Sequence, residues 1–474
     1  MPIEANTPGS KTVIVSPFSG PYANLLKFSF FNASTFLIGL GTPLVLLATE
    51  LGATSFEVGL IYSFVFLLLP VQIIATAFIP WLGYKKQIMM AWIARGAALV
   101  IPFYLALVAP AEPARWMVEA LVLSSFLFCL FRTFGSCALP PMLYAILPDE
   151  VRGRYFSIDQ AITGAAGIFI LLLFSFLFRH VATYTAFAWQ YAYGLLAVVM
   201  TLYYMARIDD PVRPERTSIR EIAAETPKIC LRRSPFRQYL IFMLASSLMG
   251  TAFVPLKAYY LKAEAGLGMD QILLYTAVQY LGSIIGTIVM RNRIDEVGVK
   301  PVFRLSLSLS AGVSTYWFFL VTGIYPPLQN GLFVAYFLFG ISSSQWLCAH
   351  LKYMPRVCDE SKQALHVSVN AAAVGIIGGM APVIWGFLVK LPGNVPGIRD
   401  DRFAFYFVAL LVCQLTLLLY VPKLTSRHRN RPSFLIESNI TRPFRYLGQI
   451  INVVPQQGPG RPGSTGKKST SGAG

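Results

Sequence analysis

The sequence predicts an all-α polytopic membrane protein, with twelve transmembrane helices in two pseudo-symmetric six-helix halves. Three observations predict it. Twelve mostly apolar stretches, each near the roughly twenty residues that cross a hydrocarbon core about 30 Å thick, alternate with short polar loops between Leu25 and Val421. Hydrophobic residues make up 55% of the 474 and charged residues only 13%, against about 25% charged in soluble domains, so the surplus apolar surface needs lipid to face. The net charge of +17 gathers in alternate loops and both termini. Only Arg115, Arg179, Lys262, Lys390, Arg399 and Arg402 fall in the opposite loops. That is the positive-inside pattern, and it places both termini in the cytoplasm. It argues against a nucleic-acid surface.

The elements follow in order. Residues 1–24 contain Pro2, Pro8, Pro17 and Pro21 and no apolar core, and are read as a cytoplasmic segment, not a cleavable signal. The first half, 25–206, holds spans at Leu25–Ala48, Val58–Ile79, Gln87–Val108, Trp116–Leu147, Tyr155–Phe178 and Phe187–Ala206. A basic connector, 207–237, carries Pro211, Pro214, Pro227 and Pro235 and no apolar span. The second half, 238–421, holds Gln238–Leu261, Gln271–Met290, Val302–Gly323, Leu332–Met354, Leu365–Leu391 and Phe403–Val421. The tail, 422–474, turns basic and then Pro/Gly/Ser-rich, a composition without a packed core. Basic segments of this kind sit on anionic lipid.

The halves echo each other. Leu82-Gly83-Tyr84-Lys85-Lys86 follows span two and Val297-Gly298-Val299-Lys300-Pro301 follows span eight, an offset of 215 residues. Asp149-Glu150 with Arg152 precedes span five, and Asp359-Glu360 with Lys362 precedes span eleven, an offset of 210. On these residues the chain resembles the major facilitator superfamily over about residues 20–425. That family's loop after helix two commonly reads G-x-x-x-D-x-x-G-x-[RK]-[RK]. The copy after span eight keeps Asp295, Gly298 and Lys300, with Arg291 at the first glycine position. The copy after span two keeps Gly83, Lys85 and Lys86 but has Pro80 in place of the aspartate. Pro148 to Arg154 is similar to the family's loop entering helix five.

The resemblance implies an alternating-access transporter of a small solute, with no cofactor and acting as a monomer. It also implies a latch on the cytoplasmic side: Asp295 with Arg291 or Arg293, and Asp149 or Glu150 with Arg152 or Arg154, beside the turn at Gly298. A carboxylate near a guanidinium or a helix N-terminus would stabilise one packing of the halves over the other. The alternative for each pair is a solvated interfacial charge.

Ionisable residues inside a bilayer cost about 2.5–3.5 kcal/mol by insertion scales and call for a reason. Arg95 lies about 13 Å past Lys86 along span three, and Arg132 lies in the interior half of span four. Because helices one, four, seven and ten line the cavity in the resembling family, Arg132 is read as a substrate contact suited to a carboxylate or phosphate. Arg95, on span three, is read as structural. Lys257, near the exterior end of span seven, is a further candidate, with snorkelling to the surface as its simple alternative. Asn32, Gln279, Tyr280, Gln345 and Trp346 are candidates to line the path, against interhelical hydrogen bonding. Gln160 and Asn370 occupy related positions in the two halves.

Candidates for proton coupling are few: Asp159, Glu119 and His366. That shortage favours a uniporter or an anion exchanger. No Walker A pattern occurs, and the four histidines show no metal-ligand spacing, so neither ATP hydrolysis nor a metal-dependent intramembrane enzyme is expected. The six cysteines form no C-x-x-C pair and read as structural thiols. A transporter-like sensor or assembly factor without transport is the alternative, favoured by Pro80. Short loops are compatible with a bacterial inner membrane.

Overall fold

The computed structural model describes residues 21–109, 113–147, 149–210, 233–291, 294–324, 329–358, 363–390 and 401–424. They belong to the compact unit of residues 1–431; the second unit, 432–474, lies outside the described residues.

Twelve helical rods follow one another among the described residues: α1 (Tyr22–Glu50), α2 (Ser55–Leu67), α3 (Tyr84–Val108), α4 (Arg115–Leu143), α5 (Asp149–His180) and α6 (Thr183–Ala206). Then come α7 (Pro235–Glu264), α8 (Met269–Arg291), α9 (Val299–Val321), α10 (Gln329–Val357), α11 (Gln363–Lys390) and α12 (Asp401–Tyr420). Ten of them are long and apolar enough to cross a membrane. The two that are not have separate reasons. In α9, Ser306, Ser308, Ser310 and Ser314 dilute the apolar content. α2 stops at Leu67 and resumes as the short helices Val71–Thr76 and Ile79–Leu82. The sequence predicted one unbroken span there. Pro70, which lacks an N–H and crowds the preceding turn, accounts for the break.

α1 and α7 are also interrupted, at related places. α1 bends at Gly41, where a Cβ would collide with the Leu37 carbonyl, and restarts with Pro43 in its first turn. α7 turns at Thr251 and Ala252, restarts at Phe253 with Pro255 close behind, and ends in a π turn, Tyr260–Glu264.

Within the first half, α1 packs on α6 and α5, and α3 on α4. Within the second, α10 packs on α9, and α9 on α12. Two seams join the halves, α2 against α11 and α5 against α8. Small residues let the backbones meet there. Gly59 faces the Pro382 carbonyl, and Gly375 and Gly379 face Phe66, Leu67 and Leu69. Ser55 Oγ donates to the Gly386 carbonyl at 2.9 Å. Across the other seam Gly164 meets Ile284 and Gly167 meets Tyr280, and Ser175 Oγ donates to the Asp270 carbonyl at 2.7 Å.

The internal repeat is visible in the backbone. Gly83 opens α3 with φ 80 and ψ 161, and Gly298 opens α9 with φ 86 and ψ 165. Only glycine holds that conformation without strain. Two residues after each glycine, a lysine caps the end of the last helix of its own half. Lys85 Nζ donates to the carbonyls of Ala206 (2.7 Å), the last residue of α6, and of Ile208 (2.6 Å) just beyond it. Lys300 Nζ donates to the Pro422 carbonyl (3.1 Å) beyond α12. A cation satisfies the carbonyls left open at a helix C-terminus and complements the helix dipole.

Gly298→Ala is expected to destabilise the purified protein by about 1–3 kcal/mol through backbone strain, read as a lowered melting temperature in detergent. Gly312→Ala is the control: it lies inside α9 with open space about its Cβ position and should leave melting unchanged or raise it slightly.

Candidate functional site

In the first half the structure brings Asn32, Arg95 and Arg132 into one neighbourhood. Arg95 is 1% exposed, the most buried charge among the described residues. Its Nη2 donates to Asn32 Oδ1 at 3.0 Å, and Trp92 Nε1 donates to the same oxygen at 3.0 Å. The guanidinium lies over the Trp92 ring at 4.3 Å and near the Phe128 ring at 5.2 Å. Arg132 rests on Phe36 at 4.7 Å, and its buried Nη1 has no hydrogen-bond partner. Phe36 lies one turn from Asn32 on α1 and Phe128 one turn from Arg132 on α4, so the two arginines share these aromatic neighbours. Asn32 therefore spends its carbonyl oxygen anchoring Arg95 and Trp92. Arg95, which the sequence reading set apart from Arg132, lies in the same neighbourhood.

Lys257 overturns the snorkelling alternative. It is 2% exposed, and its Nζ donates to Gln279 Oε1 at 2.5 Å. The rings of Tyr336, Phe339 and Phe253 lie 4.0, 4.5 and 5.2 Å from the ammonium. Counting from the end of the apolar run put it near the surface. In fact α7 continues to Glu264, and the lysine faces inward among aromatic residues of α7 and α10. Gln279 is thus the lysine's partner, and Tyr280 packs on Gly167 across the α5–α8 seam. On α10, Gln345 is 3% exposed with Oε1 unpartnered. Trp346 stacks on Phe242 with ring centres 5.3 Å apart. No hydrogen bond joins the arginines to Lys257 among the described residues.

The proton-coupling candidates scatter. Asp159 on α5 hydrogen-bonds to Ser29 on α1. Glu119 is exposed near the start of α4. His366 sits edge-on to Phe236 with ring centres 4.7 Å apart. Gln160 is exposed, and Asn370 is buried with Oδ1 unpartnered. A further histidine, His350, has its Nδ1 2.6 Å from the Tyr239 hydroxyl. A pairing between residues this far apart in sequence leaves no local signal.

Of the expected cytoplasmic latch, Gly298 alone is fully described. Arg293 lies outside the described residues, and the side chains of Asp149, Glu150, Arg152, Arg154, Arg291 and Asp295 lie outside them too. The start of α3, just after the Gly83 turn, does receive a carboxylate: Asp210 accepts from the Lys85 backbone N–H at 3.1 Å. At the opposite end, an ion pair that sequence reasoning missed ties the halves together. Lys262 of α7 meets Glu50 of α1 at 3.1 Å. Nearby, Thr276 Oγ1 donates to Thr42 Oγ1 at 3.3 Å across the same junction. Glu57 pairs with Arg115 and completes a capping box with Thr54 at the start of α2. The signal available in the sequence was an acid closing span one and a base closing span seven, at matching positions of the repeat.

A membrane-spanning bundle of paired helical halves, with polar and cationic side chains held inside it, is the architecture of a solute transporter. The Major Facilitator Superfamily model matches residues 26–256 and again 239–451, and the chain belongs to that superfamily of small-solute transporters. Solved structures agree on the fold. The nucleoside transporter NupG is similar at TM-score 0.62 and 13% identity, covering 86% of this chain and 99% of that one. The inward-open xylose transporter XylE from E. coli is similar at TM-score 0.63 and 12% identity, covering 89% and 99%. An inward-facing bacterial homologue of the iron transporter ferroportin gives TM-score 0.60 and 13% identity, covering 85% and 97%. No curated protein matches the sequence.

Glu50→Gln is expected to loosen the end where Lys262 and Glu50 meet. Both side chains are partly exposed, so the pair is worth at most about 1 kcal/mol, or roughly fivefold in a conformational equilibrium. Labelling of a Thr42→Cys reporter by a membrane-impermeant maleimide should rise by about twofold to fivefold. Unchanged labelling would show that the pair does not hold this end closed.

Proposed function

We propose that this chain carries a small organic anion across the membrane by alternating access, with Arg132 as the principal contact for the anionic group. The supporting observation is a surplus of positive charge inside the bundle. Arg95, Arg132 and Lys257 sit in membrane-spanning helices, and no carboxylate among the described residues forms an ion pair with any of them. Amide oxygens and aromatic faces hold them instead. Such partners stabilise a desolvated cation less than an anion does. A carboxylate or phosphate supplies the missing counter-charge, and the unpartnered Arg132 Nη1 supplies a waiting donor. A neutral or cationic cargo gains nothing from this arrangement.

In this reading 25–206 and 238–421 are the rocking bodies and 207–237 is their cytoplasmic connector. Both termini face the cytoplasm, so the end closed by Glu50 and Lys262 faces outward and the structure corresponds to an inward-facing or occluded state. The basic connector and tail rest on anionic lipid, the membrane is a bacterial inner membrane, and the working unit is a monomer. Asp159, Glu119 and His366 are poorly placed as a shared proton site, which fits uniport or anion exchange.

Reconstituted protein should take up one or more organic anions from a panel that includes dicarboxylates, sugar acids and phosphate esters. Arg132→Gln is expected to lower that uptake about a hundredfold, in line with loss of a buried charge-assisted contact of roughly 3 kcal/mol. Equal uptake of a neutral solute by wild type and Arg132→Gln, with none of any anion, would overturn the anion reading. Binding without flux would favour a sensor.

A further inference from the structure

Lys257 points into the body of the second half. It lies one turn past Phe253 on α7, and the Phe253 ring meets Trp317 of α9 and Phe407 of α12, each at 6.1 Å between ring centres. Tyr336, the ring nearest the ammonium, also borders Trp317 at 6.3 Å. All four rings are buried. On its other side the segment Phe253–Tyr259 is covered by Thr42–Glu50 of α1 and by α2. The ammonium therefore offers a solute no surface to touch. Nor does packing require its charge. Replacing a buried ion with an apolar side chain of similar size is often neutral or stabilising, and methionine adapts to such an aromatic pocket.

What the ammonium does have is reach. The Gln279 oxygen and the surrounding rings stabilise the charge without cancelling it, and an uncancelled charge in a poorly polarisable interior acts at a distance. Lys257 stands 22 residues from Pro235, where α7 begins, and Arg132 stands 11 residues from Leu143, where α4 ends on the same side. At 1.5 Å per residue the two differ in depth by about 16 Å. Across that separation, with an effective dielectric constant of about 20, one positive charge strengthens binding of a monoanion about fivefold and of a dianion about 25-fold. We propose that Lys257 is a specificity-determining residue that never touches the cargo: its field at the Arg132 site favours doubly charged anions over singly charged ones. The step rests on the anion reading and adds the charge class, a dianion such as a dicarboxylate or a phosphate monoester.

Calorimetry on the full chain in nanodiscs tests it, comparing succinate, glutarate and adipate with their monoamides. Lys257→Met is expected to weaken the diacids about 25-fold and the monoamides about fivefold, with the melting temperature level or higher. Lys257→Arg, which keeps the charge, should keep the wild-type preference. If Lys257→Met does not fold, the double variant with Gln279→Leu, which also removes the amide oxygen left without a donor, takes its place. Equal weakening of diacid and monoamide would make Lys257 a structural residue. A loss near a hundredfold for both, as for Arg132→Gln, would make it a contact, and no change would show that its charge does not reach the site. Each of these overturns the inference and leaves the anion reading standing. Wild type that binds none of the acids overturns both.

Discussion

A positive charge in hydrocarbon must find something to interact with, and that constraint organises the interior of this molecule. Water cannot reach Arg95 or Lys257, and no acidic side chain among the described residues pairs with them. The fold answers with weaker partners at short range. A single amide oxygen, Asn32 Oδ1, receives both Arg95 and Trp92, so α3 is fixed on α1 through one atom. Gln279 does the corresponding work for Lys257, joining α7 to α8. Aromatic faces complete each shell, at a gain of about 0.5–2 kcal/mol per contact in a desolvated setting. These partners hold the cations in place yet leave their charge uncancelled. That residual field is centred on the same residues that knit the helices together.

The seams between halves obey a different rule. Lipid tails are as apolar as leucine, so helices here gain little from burying hydrophobic surface against each other. Contact instead comes from small residues, with Gly59, Gly375, Gly379 and Gly386 along α2–α11 and Gly164 and Gly167 along α5–α8. Hydrogen bonds across these seams are few among the described residues, and they run from a serine hydroxyl to a carbonyl. Smooth surfaces with sparse polar ties can be separated and re-formed at low cost. The Glu50–Lys262 pair adds a modest, solvent-screened tie at one end. Interiors rich in mutual hydrogen bonds, such as the Ser306–Ser342 exchange, lie inside a half and not between halves.

The helices were legible because hydropathy is a sum over about twenty residues and survives local error. Rod after rod begins and ends within a few residues of the expected place. α2 was misread because one proline, Pro70, is invisible in such a sum and decisive in the backbone. The individual site residues were legible by type and not by partner. Lys257 was placed by distance from a span end, which ignores the direction its side chain takes around the helix. Arg95 and Arg132 were assigned different roles from the helices that carry them, and the fold brings them into one neighbourhood. Gln414 gave no sign of its partner, since an amide in an apolar run names none: Ser310, to which it donates, lies about a hundred residues away in sequence.

The repeat sharpens the contrast between the halves. Both use the same hinge chemistry: a glycine at φ 80 or 86 opening the third helix of each half, then a lysine clamped on the last helix end. Their interiors have diverged. The first half holds guanidinium charge around Asn32, and the second holds an ammonium between Gln279 and aromatic rings. Each buried cation is tied to helices of its own half, so the two halves can part without breaking either set of contacts.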